Sequence, residues 1–140
     1  MSIQAVLAPV FVLVALTFGL LFMSGRMRVR AVRQGQTRIG DVALGEPNWP
    51  ADVTQAGNAF NNQFQLPVLF YVLVAFALIV RKTDLLFVAM SWIFVVLRLV
   101  HAGIHVTTNR VGNRFMAYTA CMVVLLAMWI IFAVRILLAF

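Results

Sequence analysis

Asn58–Tyr71 reads N-A-F-N-N-Q-F-Q-L-P-V-L-F-Y and opens a long apolar run with five amide side chains: Asn58, Asn61, Asn62, Gln63 and Gln65. An amide is costly in hydrocarbon unless it finds a hydrogen-bonding partner. Asn58, Asn61 and Gln65 are spaced i, i+3 and i+7, so one face of a helix would hold all three. Such a face either packs on another helix through amide hydrogen bonds or binds a polar ligand at the membrane edge.

The composition around this stretch is that of a membrane protein. Of the 140 residues, 64% are hydrophobic and 11% are charged, whereas a soluble domain has roughly half apolar and about 25% charged residues. A spanning helix needs about 20 apolar residues, so the length allows four spans with short loops. The sequence therefore predicts an all-α integral membrane protein, a four-helix bundle formed by one domain over residues 1–140.

The predicted spans follow the apolar runs, and the polar segments between them are short. The four spans are Ile3–Met23, Phe60–Val80, Leu85–Val106 and Phe115–Phe140. The first helix is expected to continue into the basic segment and to stop near Gly35. Pro67 is expected to kink the second span near its start. The connections are predicted as a segment over residues 40–52, a turn at Arg81–Asp84 and a loop at Thr107–Arg114.

Positive charge is concentrated on one side of this bundle. The chain has 11 Lys and Arg against four Asp and Glu, a net charge of +7. Most arginines fall in the first and third connections, which share a side: Arg26, Arg28, Arg30, Arg33, Arg38, Arg110 and Arg114. The positive-inside rule places these loops in the cytoplasm and both termini outside. The excess thus indicates membrane orientation and an anionic ligand rather than nucleic-acid binding.

Arg98 lies well inside the third span, where a lone arginine costs about 2.5–3.5 kcal/mol at the centre. His101 and His105 follow at i+3 and i+7, so all three are expected to face the bundle interior or a wet cavity. The stripe either forms a functional site or pairs with the amides of span two for fold specificity alone. A metal or haem site is not predicted, because these histidines lack a nearby Cys, Asp or Glu. Cys121, the only cysteine, is expected to be a small packing residue.

Together these features resemble the MAPEG family, membrane-associated proteins in eicosanoid and glutathione metabolism. The resemblance rests on the four spans, the basic end of helix one, the Asn-rich stretch ending in Leu-Pro-Val-Leu-Phe-Tyr, and the arginine of helix three. It implies a homotrimer with glutathione between neighbouring subunits, near the cytoplasmic membrane surface. It also implies an arginine that stabilises the glutathione thiolate for attack on a lipophilic electrophile, in accord with the effect of a guanidinium on a nearby thiol.

Carried over by position, the resemblance assigns the catalytic role to Arg114, with Arg110 as the alternative. Arg30 and Arg33 match the basic end of helix one, and Asn61 matches the motif asparagine of helix two. The complete set of expected ligand-binding residues is Arg26, Arg30, Arg33, Asn58, Asn61, Gln65, Arg98, His101, His105 and Arg110.

Four positions depart from the family pattern. Gly57 stands where the active branch usually has an arginine, four residues before the motif asparagine. Gln65 replaces the acid that grips the glutathione amino group, which removes a charge-assisted hydrogen bond. His101 and His105 stand where tyrosines are expected on helix three.

Three functions are consistent with this sequence. The first is a trimeric membrane protein whose intersubunit cleft binds glutathione or a similar small anionic, amphiphilic ligand, with glutathione transferase or peroxidase activity on lipophilic electrophiles. The second is a non-catalytic membrane module whose cleft holds a lipid headgroup or only side chains. The third is a small pore or transporter that uses Arg98 and the histidines as an ion path.

Overall fold

A computed structural model describes residues 1–138 and contains four helical segments that are long and apolar enough to cross a membrane. Its helices are α1 (Ile3–Arg33), α2 (Ala51–Asn61), α3 (Leu66–Ile79), α4 (Leu85–Val106) and α5 (Val111–Leu137). Short 3₁₀ turns lie at Ile39–Asp41 and Asn62–Phe64. Within residues 1–138 there is no strand. The predicted all-α bundle with four spans is confirmed, and α2 with α3 forms the second span.

α1 extends beyond the predicted span into the basic segment, as expected. Its 31 residues correspond to about 46 Å at about 1.5 Å per residue, which exceeds the hydrocarbon thickness of about 30 Å. The helix ends where Gly35 takes a φ of 71°, and the Gln36 N–H donates to the carbonyl of Ala31 at 3.0 Å. This left-handed residue satisfies the last helical carbonyls, so the predicted stop near Gly35 is confirmed.

The second span begins at Ala51, directly after Pro50, and not at Phe60 as the sequence predicted. α2 buries only small or medium side chains, among them Val53, Ala56 and Ala59, while its other face is polar and exposed. Mean hydropathy is therefore low over this helix. The prediction was wrong because it followed hydropathy, and the connector accordingly ends at Pro50 instead of Asp52.

The second span is interrupted just before Pro67. α2 ends at Asn61, a 3₁₀ turn follows, and Gln65 has φ −100° and ψ −109° before α3 begins. Proline has no N–H to donate to the carbonyl four residues earlier, so the helix cannot continue unchanged through this point. The expected kink is thus a complete break. It separates Gln65 from the helix that carries Asn58 and Asn61, so the predicted single helical face for the three amides was wrong.

α4 has the predicted bounds, and the Asp84 carboxylate accepts a hydrogen bond from the N–H of Phe87 at 2.9 Å. α5 begins at Val111 rather than Phe115, so Arg114 lies in its first turn and not in a loop, as the sequence had suggested. The polar residues of this turn conceal the helix start in a hydropathy profile. α5 ends at Leu137, and the predicted span end at Phe140 lies outside the described residues.

Contacts at both ends of the bundle confirm that the chain runs along it four times. At one end, the N-terminal amine donates to the carbonyl of Thr83 at 3.3 Å, and Arg135 pairs with Asp84 at 2.7 Å. At the other end, the Gln55 amide donates to the carbonyl of His105 at 2.8 Å and so holds the start of α2 beside the end of α4. The first and third connections therefore share one side. Between the two ends, the core is apolar, with stacked Phe70 and Phe94 rings 4.8 Å apart.

Candidate functional site

Arg98 is completely buried in the bundle and is held by Asn62. Its Nη2 donates to the Asn62 carbonyl oxygen at 3.2 Å, and Nη1 and Nη2 each lie 3.4 Å from Oδ1 of Asn62. Asn62 belongs to the turn that interrupts the second span, and its carbonyl also accepts from the Gln65 N–H at 3.4 Å. The turn thus supplies an acceptor that the guanidinium shares with the backbone. This is the amide pairing that the sequence suggested as the structural role of Arg98.

His101 and His105 lie on the same face of α4 as Arg98 and are also buried, so the predicted inward-facing stripe is confirmed. The two rings meet edge to face with their centroids 5.7 Å apart, and the Tyr118 ring lies 5.7 Å from His101. Among the described residues, Nδ1 of each histidine has no hydrogen-bond partner. A buried polar atom is usually paired, so these two nitrogens are exceptions within the bundle.

A recess of about 170 Å³ opens beside this stripe, lined by Asn62, His101, Val111, Arg114, Phe115 and Tyr118. Arg114 donates to Oδ1 of Asn109 at 2.6 Å, which fixes its guanidinium against the turn between α4 and α5. The Tyr118 hydroxyl donates to Oε1 of Gln65 at 3.4 Å. The break in the second span, the end of α4 and the start of α5 therefore meet at one polar recess.

The other predicted residues lie outside this recess. Asn58 and Asn61 are exposed on the outer face of α2. Arg26, Arg30 and Arg33 line a separate groove of about 500 Å³ on α1. Arg110 is exposed at the start of α5. A single chain thus brings together His101, Arg114 and, through hydrogen bonds, Arg98 and Gln65, but it does not join them to the basic groove.

Sequence reasoning missed Asn62 and Tyr118. Asn62 was passed over because a continuous helix would turn Asn58, Asn61 and Gln65 to one side. The proline after this run of amides was the signal for the break. Tyr118 stands one turn after Arg114, so a correct start of α5 would have revealed it. Cys121 is fully buried, as predicted for a packing residue.

Comparison with curated proteins and with solved structures gives no significant match. The family model of the MAPEG family does match, over residues 6–134. This range reaches from the first crossing helix into the last and covers most of the chain. Together with the four apolar segments, the match shows that the chain is an integral, multi-pass membrane protein that belongs to the MAPEG family.

Proposed function

We propose that this protein binds glutathione, or a similar small anionic and amphiphilic ligand, in a cleft between the subunits of a homotrimer. Membership of the MAPEG family supports a role in membrane glutathione or eicosanoid metabolism. The charge of the site supports an anionic ligand, because Arg114 lines the recess and Arg98 lies beside it. All four acidic residues lie at or beyond helix ends: Asp41, Glu46, Asp52 and Asp84.

The observation that carries this proposal is the position of Arg114 in the recess. Its guanidinium lies in the first turn of α5, at the start of the last segment that is apolar and long enough to cross a membrane. A fixed cation favours a thiolate over a thiol and stabilises charge that develops at sulfur. A glutathione thiolate held there would attack a lipophilic electrophile that arrives from the bilayer, or would reduce a peroxide. His101 and Tyr118 supply polar groups in place of the expected tyrosines of helix three.

The size of the recess supports a site shared between subunits. Small-molecule sites usually enclose about 300–1,000 Å³, whereas the recess of one chain is about 170 Å³. Asn58 and Asn61 are exposed at the membrane edge, where polar groups need partners. A neighbouring subunit would cover these amides and enlarge the recess. Native mass spectrometry in mild detergent should show a trimer, and a stable monomer would contradict an intersubunit site.

A second function, a non-catalytic membrane module, is favoured by one specific observation. Arg98 is paired with Asn62, and Gln65 accepts a hydrogen bond from Tyr118, so part of the polar site is satisfied within the chain. In that case the cleft would hold a lipid headgroup or only side chains.

Two measurements on the detergent-solubilised protein decide between these functions. Isothermal titration with glutathione tests binding, and thiol-dependent turnover of a chromogenic electrophile tests catalysis. Binding with turnover supports the enzyme. Binding without turnover supports a glutathione site without catalysis, whereas the absence of binding overturns the glutathione site and favours the non-catalytic module.

A further inference from the structure

An apolar crevice runs between α4 and α5 at the end of the bundle opposite the candidate site. Side chains of both helices line it: Leu86, Phe87, Met90, Met128, Ile131 and Phe132. The crevice is narrow, about 10 Å³, and next to it a wider groove of about 340 Å³ opens at the turn before α4. A flexible hydrocarbon chain can lie along so narrow a crevice, whereas a bulky ring system cannot enter it.

Basic side chains surround the place where the crevice meets the groove. Lys82 and Arg135 line both of them, and Arg81 lines the groove. Asp84 is the acidic residue of the groove, and its carboxylate is paired with Arg135 at 2.7 Å. Three basic side chains against one acidic side chain leave an excess of two positive charges. An apolar crevice that ends in positive charge is complementary to an amphiphile with an anionic head.

Arg81 occupies a backbone position that favours glycine. It follows the end of α3 with a φ of 56°, and the N–H of Lys82 donates to the carbonyl of Ala77 at 2.9 Å. Glycine is the usual residue here, because other side chains are unfavourable at positive φ. Within residues 1–138, the guanidinium of Arg81 forms no ion pair and donates no hydrogen bond. Contacts within the chain therefore do not account for an arginine at this position.

The turn with Arg81 and Lys82 joins the second and third crossing segments, so it lies at one surface of the membrane. The headgroups of phospholipids begin just outside the hydrocarbon core, at the same depth. We propose that an anionic phospholipid binds here, with its phosphate against Arg81 and Lys82 and one acyl chain in the crevice between α4 and α5. This site is separate from the recess at the other end of α4 and does not depend on the proposed function.

Native mass spectrometry in mild detergent tests the site with two lipids that have identical acyl chains. The wild type should bind phosphatidylglycerol about tenfold more tightly than phosphatidylcholine, whose headgroup has no net charge. Arg81→Gly should weaken phosphatidylglycerol binding about fivefold, which is the contribution of one basic residue beside anionic lipid. Arg38→Gln removes an exposed arginine of the opposite side and should change the affinity by less than about twofold.

Two further measurements separate lipid binding from folding and from the glutathione site. Without lipid, Arg81→Gly should melt at the wild-type temperature or above it, because glycine adopts a positive φ without strain. Its affinity for glutathione should equal that of the wild type. Met90→Trp should fill the crevice and weaken phosphatidylglycerol binding about tenfold, the equivalent of about two displaced methylene groups.

Several results would overturn this proposal. Equal binding of the two lipids by the wild type, or equal losses for Arg81→Gly and Arg38→Gln, would show that no specific anionic lipid is held. A lower melting temperature of lipid-free Arg81→Gly would make Arg81 a residue of the fold. Unchanged lipid binding by Met90→Trp would exclude the crevice. Displacement of the lipid by glycerol phosphate, which has the headgroup charge without acyl chains, would assign the groove to soluble anions.

Discussion

The guanidinium of Arg98 and the carbonyl of Asn62, 3.2 Å apart, join the interior of α4 to the point where α2 ends. An unpaired arginine in a span is unfavourable by several kcal/mol. The Asn62 carbonyl accepts from the Gln65 N–H at 3.4 Å as well as from the guanidinium, so the turn that interrupts the second span stabilises the buried charge of the third.

Asn62→Ala should destabilise the bundle by about 2–4 kcal/mol, because it removes one acceptor of a buried charge and loosens the other. Thermal unfolding in detergent measures this effect. Asn113→Ala removes an exposed amide of α5 and should change stability by less than about 0.5 kcal/mol. Equal shifts for the two variants would contradict a stabilising role for the pair.

Arg114→Ala should lower thiol-dependent turnover about a hundredfold with a much smaller effect on glutathione affinity, because its charge acts on developing negative charge at sulfur. Asn61→Ala should instead weaken binding about fivefold to tenfold, since it removes an orienting hydrogen bond. Steady-state kinetics and calorimetry on the same preparations separate the two effects. A loss of affinity alone for Arg114→Ala would remove Arg114 from the chemical step.

Gln65→Glu should tighten glutathione binding, because a carboxylate forms a stronger, charge-assisted hydrogen bond to an amino group. The substitution keeps an acceptor for the Tyr118 hydroxyl, which now lies 3.4 Å from Gln65. Tyr118→Phe is the control, since it removes this hydrogen bond without adding charge and should not tighten binding. If calorimetry gives no gain for Gln65→Glu and the wild type has no thiol-dependent turnover, the non-catalytic module is the better description.

The free energy of unfolding should depend on pH in the acidic range because of Asp84. Its hydrogen bond with Arg135 is the main cause that lowers the pKa of this carboxyl below its ordinary value of 3.8. A carboxyl with a depressed pKa in the fold stabilises it fully above the ordinary pKa, and that contribution is lost as the pH falls below 3.8. The melting temperature of Asp84→Asn should therefore converge with that of the wild type below this pH. A constant difference down to pH 2 would contradict the assignment.

Cysteine labelling tests the orientation predicted from charge. Cysteines introduced at Gln36 and Asn113, both exposed, should resist a membrane-impermeant reagent applied to intact cells, whereas Thr83→Cys should react. Background labelling should be low because the native Cys121 is fully buried. Efficient labelling at Gln36 and Asn113 would invert the bundle and place the recess on the outer side.

Hydropathy predicted the helix bounds well where the sequence is apolar and poorly where a helix begins in polar sequence. α4 has the predicted bounds because apolar residues fill it from Leu85 onward. α2 and α5 begin earlier than predicted because their first turns are polar, where hydropathy carries no signal. Helical period correctly placed Arg98 with His101 and His105, since that helix is unbroken. It failed for Gln65, because the break before Pro67 separates this residue from the helix that carries Asn58 and Asn61.

The pairing of Arg98 with a neutral amide also determines which ions the bundle interior can admit. Arg98 and Arg114 flank the histidine stripe, and no acidic residue follows Asp84 in the sequence. An imidazole is neutral or positive, so neither histidine can offset these charges. At a distance of about 10 Å and an effective dielectric constant of about 20, each guanidinium repels a monovalent cation by about 1.7 kcal/mol. The two guanidinium groups therefore disfavour a cation along this face and favour an anion.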